Sequence, residues 1–338
     1  MNLQKRFSHI YIEKPILDAP LPKEILQKHP NSQIIPIHSY KEVFNRSKQN
    51  SHLQRKSQNL ILAYKKENFL HPASYFIQNF GCENIFYVPH VFNCIYDCNY
   101  CFLQGMYPSS HIVLFVNIED YFDAVTQMLT HYTKENPLYL CISYDTDLLA
   151  FEKLFGFVGK WIEYAHNKEN LIIESRSKSA NYRAISHHQV NPNFIHSWSI
   201  LPELLIETHD FKTPSLSQRL GAIKKAMDDG WPIRLSIEPI IWIPEFEKIY
   251  GAFLEEVFEI IDADKIRDLN IDLFRINEGY LKKIRSIRSD SVLYFPYEKK
   301  GTIRSYSKTL ADQLFDFFES ALPHYIDMNK VYINKEYV

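Results

Sequence analysis

From about residue 84 onward, short apolar segments alternate with longer segments whose apolar residues follow helical spacing. The short segments are rich in β-branched and aromatic residues, as are parallel strands buried on both faces. They predict strands at Ile85–Val88, Leu138–Ser143, Leu171–Glu174, His196–Ile200, Ile233–Pro239 and Leu273–Asn277. The longer segments predict helices at residues 118–132, 147–166, 181–188, 215–229, 245–263 and 308–322. Six strand–helix units in succession predict an α/β fold whose parallel sheet curls into a partial (β/α)6 barrel.

The two ends of the chain follow different patterns. Residues 1–80 contain short strand-like runs such as Ile10–Ile12 and Gln33–Ile37, and residues 44–58 are polar and basic, which predicts a loop. Ser291–Ser307 predicts a β-hairpin around residues 298–302. We therefore expect an N-terminal α/β extension packed on the barrel at 1–80, the partial barrel at 81–285, and a C-terminal hairpin and helix at 286–338.

Composition points to a soluble protein. Of the 338 residues, 46% are hydrophobic, so the chain can bury a sizeable core, and α/β barrels reach this size as single units. No apolar stretch approaches the ~18 residues of a membrane span, and the N-terminus lacks the apolar run of a signal peptide. We expect a cytoplasmic protein with no membrane partner.

The charges are unevenly distributed along the chain. The formal net charge is −2, which by itself indicates no anionic partner. Residues 41–67 and 281–308 are nevertheless rich in Lys and Arg and have aromatic neighbours. Such segments form either a footprint for a nucleic-acid backbone or an ordinary solvated surface, and the pattern alone does not choose between them.

Three cysteines follow the first predicted strand, at Cys94, Cys98 and Cys101. A four-iron cluster takes one thiolate on each iron, so three thiolates leave one iron open to a small molecule. The alternative is a structural zinc site, which usually takes four Cys or His ligands, and His90 is the only imidazole near this loop. Five cysteines without a signal peptide argue against a disulfide framework. The spacing therefore favours a reactive iron–sulfur cluster.

Chemistry in such barrels gathers where the parallel strands end. The cysteine loop directly follows the first predicted strand and so lies at this mouth. Polar side chains at the ends of the other predicted strands are expected to face the same cavity. They are Ser143, Asp145, Asp147, Glu174, Arg176, Lys178, Ser199, Glu238, Asn277 and Glu278.

The segment from Phe92 to Gly105 resembles the cluster loop of the spore photoproduct lyase family, within the radical S-adenosylmethionine (radical SAM) enzymes. The resemblance includes the aromatic Tyr100 and the Leu103-Gln104 pair. Further weak similarities occur in the same order along nearly the whole chain. They include Ile10–Pro15, Phe115–Asn117, Ser177–Ser179, Ser197–Ile200, Thr213–Ser215, Arg219 and Ile237–Ile241.

This resemblance implies a radical SAM partial barrel with a [4Fe-4S] cluster on Cys94, Cys98 and Cys101. S-adenosylmethionine (SAM) would chelate the open iron, and a reductant such as flavodoxin or ferredoxin would drive its cleavage to methionine and a 5′-deoxyadenosyl radical. In the family, that radical takes hydrogen from a methylene-bridged thymine dimer in DNA, and two thymines are restored. Position then implies that Lys178 and Ser199 help to hold SAM.

Other roles are also implied by position. Ser143 or Asp145 would lie near the SAM amino group, and Tyr100 would pack on the adenine side. The family's basic hairpin wedges into the DNA duplex. In this chain its phosphate contacts would be Lys299, Lys300 and Arg304, and its stacking surfaces would be Tyr294, Tyr297 and Tyr306.

Two departures from the family concern the return of a hydrogen atom to the product. The family uses a cysteine donor and two relay tyrosines; here the first relay position is Tyr100, but the second is Phe102, which has no hydroxyl. Tyr144 falls nearest the donor position, and Cys141 lies three residues earlier. Strand alternation predicts that Cys141, Ser143 and Asp145 share one face. We expect Cys141 to be a core cysteine, with a role for Cys141 or Tyr144 as donor as the alternative.

These observations leave three hypotheses. The first is a radical SAM lyase of this family that acts on a thymine photoproduct or another modified base in DNA. The second is an enzyme that directs the same radical at a substrate other than nucleic acid, which Phe102 and the displaced cysteine favour. The third is a DNA-binding protein with a purely structural cluster, which would need a fourth protein ligand that the loop does not offer.

Overall fold

A computed structural model describes residues 7–73 and 78–335 of the chain. Its strands are β1 (His9–Glu13), β2 (Gln33–Ile37), β3 (Leu60–Ala63), β4 (His71–Pro72), β5 (Ile85–Tyr87), β6 (Val91–Phe92), β7 (Asp97–Cys98), β8 (Ile112–Phe115), β9 (Leu138–Cys141), β10 (Leu171–Ser177), β11 (Phe194–Ser199), β12 (Asp210–Phe211), β13 (Ile233–Ile240), β14 (Asp268–Leu273), β15 (Arg275–Asn277), β16 (Glu298–Lys300), β17 (Ile303–Ser305) and β18 (Val331–Ile333).

Helices connect most of these strands. The α-helices are α1 (Pro20–Lys28), α2 (Lys41–Phe44), α3 (Ser51–Gln54), α4 (Leu103–Met106), α5 (Ile118–Leu129), α6 (Leu148–Phe155), α7 (Phe157–Ala165), α8 (Glu203–His209), α9 (Leu216–Asp228), α10 (Phe246–Ile260), α11 (Glu278–Arg285) and α12 (Lys308–Ala321). Short 3-10 helices occur at Lys14–Ile16, Asn181–Ala184, Ser291–Tyr294, Leu322–His324 and Met328–Lys330. No helix in the described ranges is long and apolar enough to cross a membrane.

The main sheet has the strand order β18-β14-β13-β11-β10-β9-β5-β4. Every neighbouring pair is parallel except β4 and β5 at one edge. The interior strands are largely apolar on the side that α6, α7 and α9 cover, which explains why five of the six predicted strands fall within three residues of the observed ones. The sheet keeps two separate edge strands, so the predicted partial barrel is confirmed.

The sixth predicted strand, Leu273–Asn277, was misplaced. The barrel strand is β14, and Arg275–Asn277 forms β15 in a separate three-stranded sheet with β17 and β16. β14 alternates polar and apolar residues, a pattern typical of a strand with one solvated face. Its polar residues are instead buried with partners, since Asp268 Oδ2 accepts a hydrogen bond from Arg234 Nη2 at 2.8 Å and Asn270 donates to Glu238 at 3.3 Å.

A second sheet, of order β2-β1-β3-β8-β6, lies beside the barrel. It combines three strands from the predicted extension with two that come after residue 80, whereas β4, from before residue 80, joins the main sheet. The predicted boundary at residue 80 therefore does not separate one sheet from the other, and the division into domains stays a prediction. Residues 1–6, 74–77 and 336–338 of the predicted segments lie outside the described residues.

The predicted helix at residues 147–166 is two helices, α6 and α7, which meet at Gly156. Gly156 adopts φ +67°, a left-handed conformation that ends α6 at little cost because glycine has no Cβ. The segment predicted as helix 181–188 forms only the 3-10 turn Asn181–Ala184. The remaining predicted helices agree with α5, α9, α10 and α12 to within three residues at each end.

Candidate active site

A cavity of about 580 Å³ opens at the C-terminal ends of the barrel strands. That volume lies within the range of small-molecule and cofactor sites, about 300–1,000 Å³. The predicted residues that line it are Tyr100, Cys101, Cys141, Ser143, Tyr144, Glu174, Arg176, Lys178, Ser199, Glu238 and Asn277. The structure thus brings most of the predicted strand-end residues to one cavity.

Side chains of the N-terminal segment donate hydrogen bonds to the backbone of the cysteine loop beside this cavity. Gln58 Nε2 donates to the carbonyl of Cys94 at 2.9 Å, and Arg55 Nη1 donates to the carbonyl of Tyr96 at 3.1 Å. Arg55 is only 3% exposed, so it is not part of a basic surface as its segment suggested. The loop predicted at residues 44–58 also contains helix α3. This segment supports the cysteine loop.

The other side of the loop is fixed by the region after β11. Strand β7, which contains Cys98, pairs antiparallel with β12. The Asn99 N–H donates to the carbonyl of His209 at 3.0 Å, and Arg288 Nη1 donates to Asp97 at 2.8 Å. Backbone and charged contacts therefore set the conformation of the loop before any ligand binds.

The donor set fits an iron–sulfur cluster. Burial raises the pKa of the Cys94 thiol to about 12, and the neighbouring Asp147 and Cys101 add to the effect. Burial, followed by Asp210, likewise raises the pKa of Cys98, and the neighbouring Cys101 and Cys94 add to the effect. Among the described residues, no three His, Cys, Asp or Glu side chains gather as the ligands of a single ion would. In a four-iron cluster, each thiolate binds a different iron.

Behind the loop lies a buried network centred on Asp210. Its carboxylate accepts hydrogen bonds from Lys178 Nζ at 3.0 Å, from Arg219 Nη2 at 3.0 Å and from the Tyr100 hydroxyl. Lys178 Nζ also donates to the Tyr100 hydroxyl at 3.0 Å. Burial opposes ionisation of Asp210, but Lys178 and Arg219 outweigh it and hold its pKa well below the usual value. The Asp210 carboxylate therefore links Tyr100 and Lys178, two of the residues predicted to bind the cofactor.

Asp210 and its partner Arg219 were given no role from the sequence. Arg219 occupies the buried face of α9 with Leu216, Leu220 and Ile223, so a charged residue interrupts an apolar stripe at helical spacing. That interruption is the signal that a buried anion lies opposite. The sequence gives no comparable signal for Asp210, because its partners come from three separate segments.

The predicted SAM-binding serines both reach the cavity, whereas Asp145 does not. The Ser143 hydroxyl donates to the carbonyl of Arg176 at 2.8 Å and accepts from its N–H at 2.7 Å, and Ser199 lines the wall nearby. Asp145 is buried near Tyr107 and Lys65, and burial raises its pKa to about 7. The prediction that it shares a face with Cys141 and Ser143 is wrong because β9 ends at Cys141 and alternation stops there.

Both candidate hydrogen donors line the cavity. Cys141 was expected in the core, but it lies in the cavity wall with its Sγ 3.9 Å from Glu174 Oε2. The Tyr144 ring packs against Tyr87, with centroids 4.6 Å apart, and against Phe102 at 5.6 Å. Cys141 also packs against the core residues Phe80, Tyr139 and Ile195, so it lies at the border between core and cavity, and its role as a donor stays a prediction, as does that of Tyr144.

The predicted hairpin forms from β16 and β17, but its charges are partly neutralised. Lys299 Nζ lies 2.6 Å and Arg304 Nη2 lies 2.7 Å from the Glu278 carboxylate. Tyr297 and Tyr306 are 6% and 3% exposed, so they are core residues, and the prediction that they form stacking surfaces is wrong. Tyr294, 52% exposed, keeps an accessible ring.

The radical SAM enzymes share this architecture, a partial parallel barrel whose first strand leads into a buried loop with this cysteine spacing. The roles of the individual side chains stay predictions at this point. The barrel and the cysteine loop together define the class of protein, which is the radical SAM enzymes.

Comparison with known proteins narrows the class. The sequence pattern of the family described as "Spore photoproduct lyase" matches residues 7–292. The spore photoproduct lyase of Bacillus subtilis (strain 168) is 22% identical over 273 residues, which cover 79% of this chain and 77% of that protein. The spore photoproduct lyase of Clostridium acetobutylicum is 20% identical over 285 residues, covering 82% and 80%. The chain belongs to the spore photoproduct lyase family.

Solved structures agree on the fold. A spore photoproduct lyase complexed with a dinucleoside spore photoproduct matches with a TM-score of 0.81 at 17% identity, over 97% of this chain and 98% of that one. A spore photoproduct lyase variant with bound SAM and a dinucleoside spore photoproduct matches with a TM-score of 0.80, also at 17% identity and over the same shares of both chains.

Proposed function

We propose that this protein is a radical SAM lyase that reverses the methylene-bridged thymine photoproduct in DNA. The observation that carries the proposal is the position of Cys141, a thiol in the wall of the same cavity that the cysteine loop borders. The family needs a radical generator and a hydrogen-donating thiol around one substrate. In this chain one cavity would meet both requirements, with the thiol supplied from a different position in the sequence.

Cys94, Cys98 and Cys101 would hold the [4Fe-4S] cluster, which is supported by their spacing in one short loop that borders the cavity at Cys101. When bound, the cluster and SAM supply a 5′-deoxyadenosyl radical that abstracts hydrogen from the substrate. Lys178 and Ser199 would hold SAM, and Ser143 would lie near its amino group. Because Asp210 fixes Lys178 and Tyr100 together, the polar wall is ordered before SAM arrives.

Cys141 would give its S–H hydrogen atom to the product radical, and the thiyl radical left on Cys141 would return to the thiol by taking up an electron from the reductant and a proton. Burial raises the pKa of its thiol well above the usual value, and the carboxylate of Glu174 adds to the effect. The thiol therefore keeps its S–H at neutral pH, and an intact S–H is the form that donates a hydrogen atom. Tyr144, packed on Phe102 in the same wall, is the alternative donor.

The nucleic-acid surface would lie on the C-terminal hairpin. Lys299, Lys300 and Arg304 project from β16 and β17, close to the cavity-lining Ile303. A phosphate that approaches the hairpin would compete with Glu278 for Lys299 and Arg304. The electron donor would be a flavodoxin or ferredoxin, and the compartment would be the cytoplasm, where thiols stay reduced.

A second candidate function is radical chemistry on a substrate other than nucleic acid. Two observations favour it: Phe102 replaces a relay tyrosine, and Glu278 forms ion pairs with Lys299 and Arg304 of the basic hairpin. Membership of a family of lyases argues against the third hypothesis, a purely structural cluster.

The test is repair of a defined substrate. Anaerobically reconstituted protein is given SAM, a reductant and the dinucleoside photoproduct, and the restored thymine is quantified by liquid chromatography. We expect multiple turnovers, and none with Cys98→Ala. SAM cleavage without any restored thymine would contradict the proposal and support the second candidate.

A further inference from the structure

An ion-paired group forms the floor of the cavity, one layer deeper than Lys178. Arg176 donates through Nε and Nη2 to Glu174 Oε1, at 3.1 and 2.9 Å, and through Nη1 to Glu238 Oε2. All three residues line the cavity. Burial opposes ionisation of Glu174, but Arg176 and Arg234 outweigh it and lower its pKa to about 2. The floor is therefore charged and ordered before a ligand enters.

Arg176 and Glu238 keep hydrogen-bonding capacity that their mutual contacts do not use. A guanidinium has five N–H donors, and the contacts above use three of those of Arg176. Glu238 Oε2 accepts from Arg176 and from Asn270 Nδ2 at 3.3 Å, whereas no described residue donates to Oε1. The two side chains are 29% and 30% exposed, so donor and acceptor face the cavity side by side.

An aromatic wall rises beside this floor. The Tyr144 ring contacts the rings of Tyr87 and Phe102, all three rings line the cavity, and enzymes stack an extruded base on aromatic surfaces of this kind. Cys141 lies between wall and floor, with Sγ 3.9 Å from Glu174 Oε2. A planar heterocycle on the wall would thus have its edge at the floor and its ring near the thiol.

We propose that Arg176 and Glu238 together read the imide edge of one thymine of the substrate. An Arg176 N–H would donate to a ring carbonyl, and Glu238 Oε1 would accept the adjacent N3–H. The pairing rests on the proposed function, because it assumes that a pyrimidine enters the cavity. It makes Arg176 and Glu238 specificity-determining residues that select an intact imide.

The position of the pair argues for a base at this floor rather than SAM. Lys178, which directly follows the end of β10, contacts Tyr100 of the cysteine loop. Arg176 instead contacts Glu174, which is next to Cys141. Lys178 is therefore the cation on the side of the cavity next to the cysteine loop, and Arg176 is the cation on the side next to Cys141.

The test uses the reconstituted holoenzyme with SAM and an oxidised cluster, so that binding is measured without turnover. Calorimetry compares the dinucleoside photoproduct with an analogue methylated at N3 of both bases. Hydrogen bonds to charged groups are worth about 1.5–3 kcal/mol, so we expect methylation to weaken binding by about tenfold to hundredfold. Glu238→Gln should weaken binding of the normal substrate by a similar factor and lose most of the discrimination between the two ligands.

The control variant is Glu245→Gln, the same chemical change at an exposed residue paired with Lys248 outside the cavity. It should discriminate as the wild type does. The inference would be overturned if the wild type bound the two ligands with equal affinity. It would also be overturned if the loss of affinity from Glu238→Gln were simply additive with the loss from methylation. A Glu238→Gln variant that loses affinity for SAM and not for the substrate would overturn it as well. If the wild type binds neither ligand, the proposed function itself fails.

Discussion

Replacing Asp210 by Asn tests how the cysteine loop is held. The substitution keeps the shape of the side chain and removes its charge. Asp210 and Arg219 are 1% and 0% exposed, and Lys178 is only 16% exposed, so the change leaves two poorly solvated cations without their anion. Removing one partner from a buried ion pair costs about 3–5 kcal/mol because the remaining charge is uncompensated. We expect a loss of that size in the free energy of unfolding.

The effect should also reach the cluster site. Asp210 begins β12, the strand that pairs with β7, and its carboxylate accepts from the Tyr100 hydroxyl, so loop and network loosen together. Urea unfolding of the protein without iron measures the stability change, and iron content after reconstitution measures the consequence. We expect Asp210→Asn to hold less iron than the wild type.

The dependence on pH has a definite sign. Because the folded-state pKa of Asp210 is depressed, its contribution is present above the unfolded value of about 3.9 and is lost as the pH falls below it. The wild type should therefore lose stability on acidification more steeply than Asp210→Asn does. At neutral pH the difference between the two proteins should be at its full value.

The matched control is Asp228→Asn. Asp228 forms an exposed pair with Lys224 at 3.1 Å, and pairs of this kind contribute about 0–1 kcal/mol. If Asp210→Asn costs no more than this control, the reasoning about the buried network is refuted. An equal dependence on pH in the wild type and Asp210→Asn would contradict it as well.

Three further predictions concern the cluster, the hairpin and the donor. Cys98→Ala should abolish cluster assembly whereas Cys82→Ala, outside the loop, should not; full iron content in the first would refute the ligand assignment. Lys299→Ala should reduce the slope of log affinity for DNA against log salt concentration by about 0.9. Glu278→Gln should increase the affinity for DNA because it frees the hairpin cations. If both the slope and the affinity stayed unchanged, the hairpin would not be part of the DNA interface. Cys141→Ala should divert product to adducts without slowing SAM cleavage, and an unaltered product distribution would exclude it as donor.

The sequence predicted the elements whose pattern is local. β5 and β9 carry continuous apolar runs, and the three cysteines lie within eight residues, so these strands and the cluster loop were both predictable. β14 was misplaced because its buried polar residues are satisfied by Arg234 and Glu238, which come from another strand. A buried polar strand cannot be told from a solvated one without its partners.

The remaining errors at the site arise from contacts that are distant in sequence. Cys141 reaches the cavity because it ends its strand, and Asp145 turns away in the loop that follows. Tyr297 and Tyr306 are buried against each other, with ring centroids 5.4 Å apart, which their hairpin sequence does not reveal. Asp210 gains its partners from the cysteine loop, β10 and α9. These positions depend on the fold as a whole.

The measurement that tests the central claim most directly is the formation of 5′-deoxyadenosine and of restored thymine residues in the DNA, both quantified in one reaction of the reduced holoenzyme with SAM. It is run with and without DNA that carries the methylene-bridged thymine dimer. The account predicts that the photoproduct stimulates 5′-deoxyadenosine release and that thymine accumulates with it. Release of 5′-deoxyadenosine that is slow, independent of the photoproduct and unaccompanied by thymine would contradict the account.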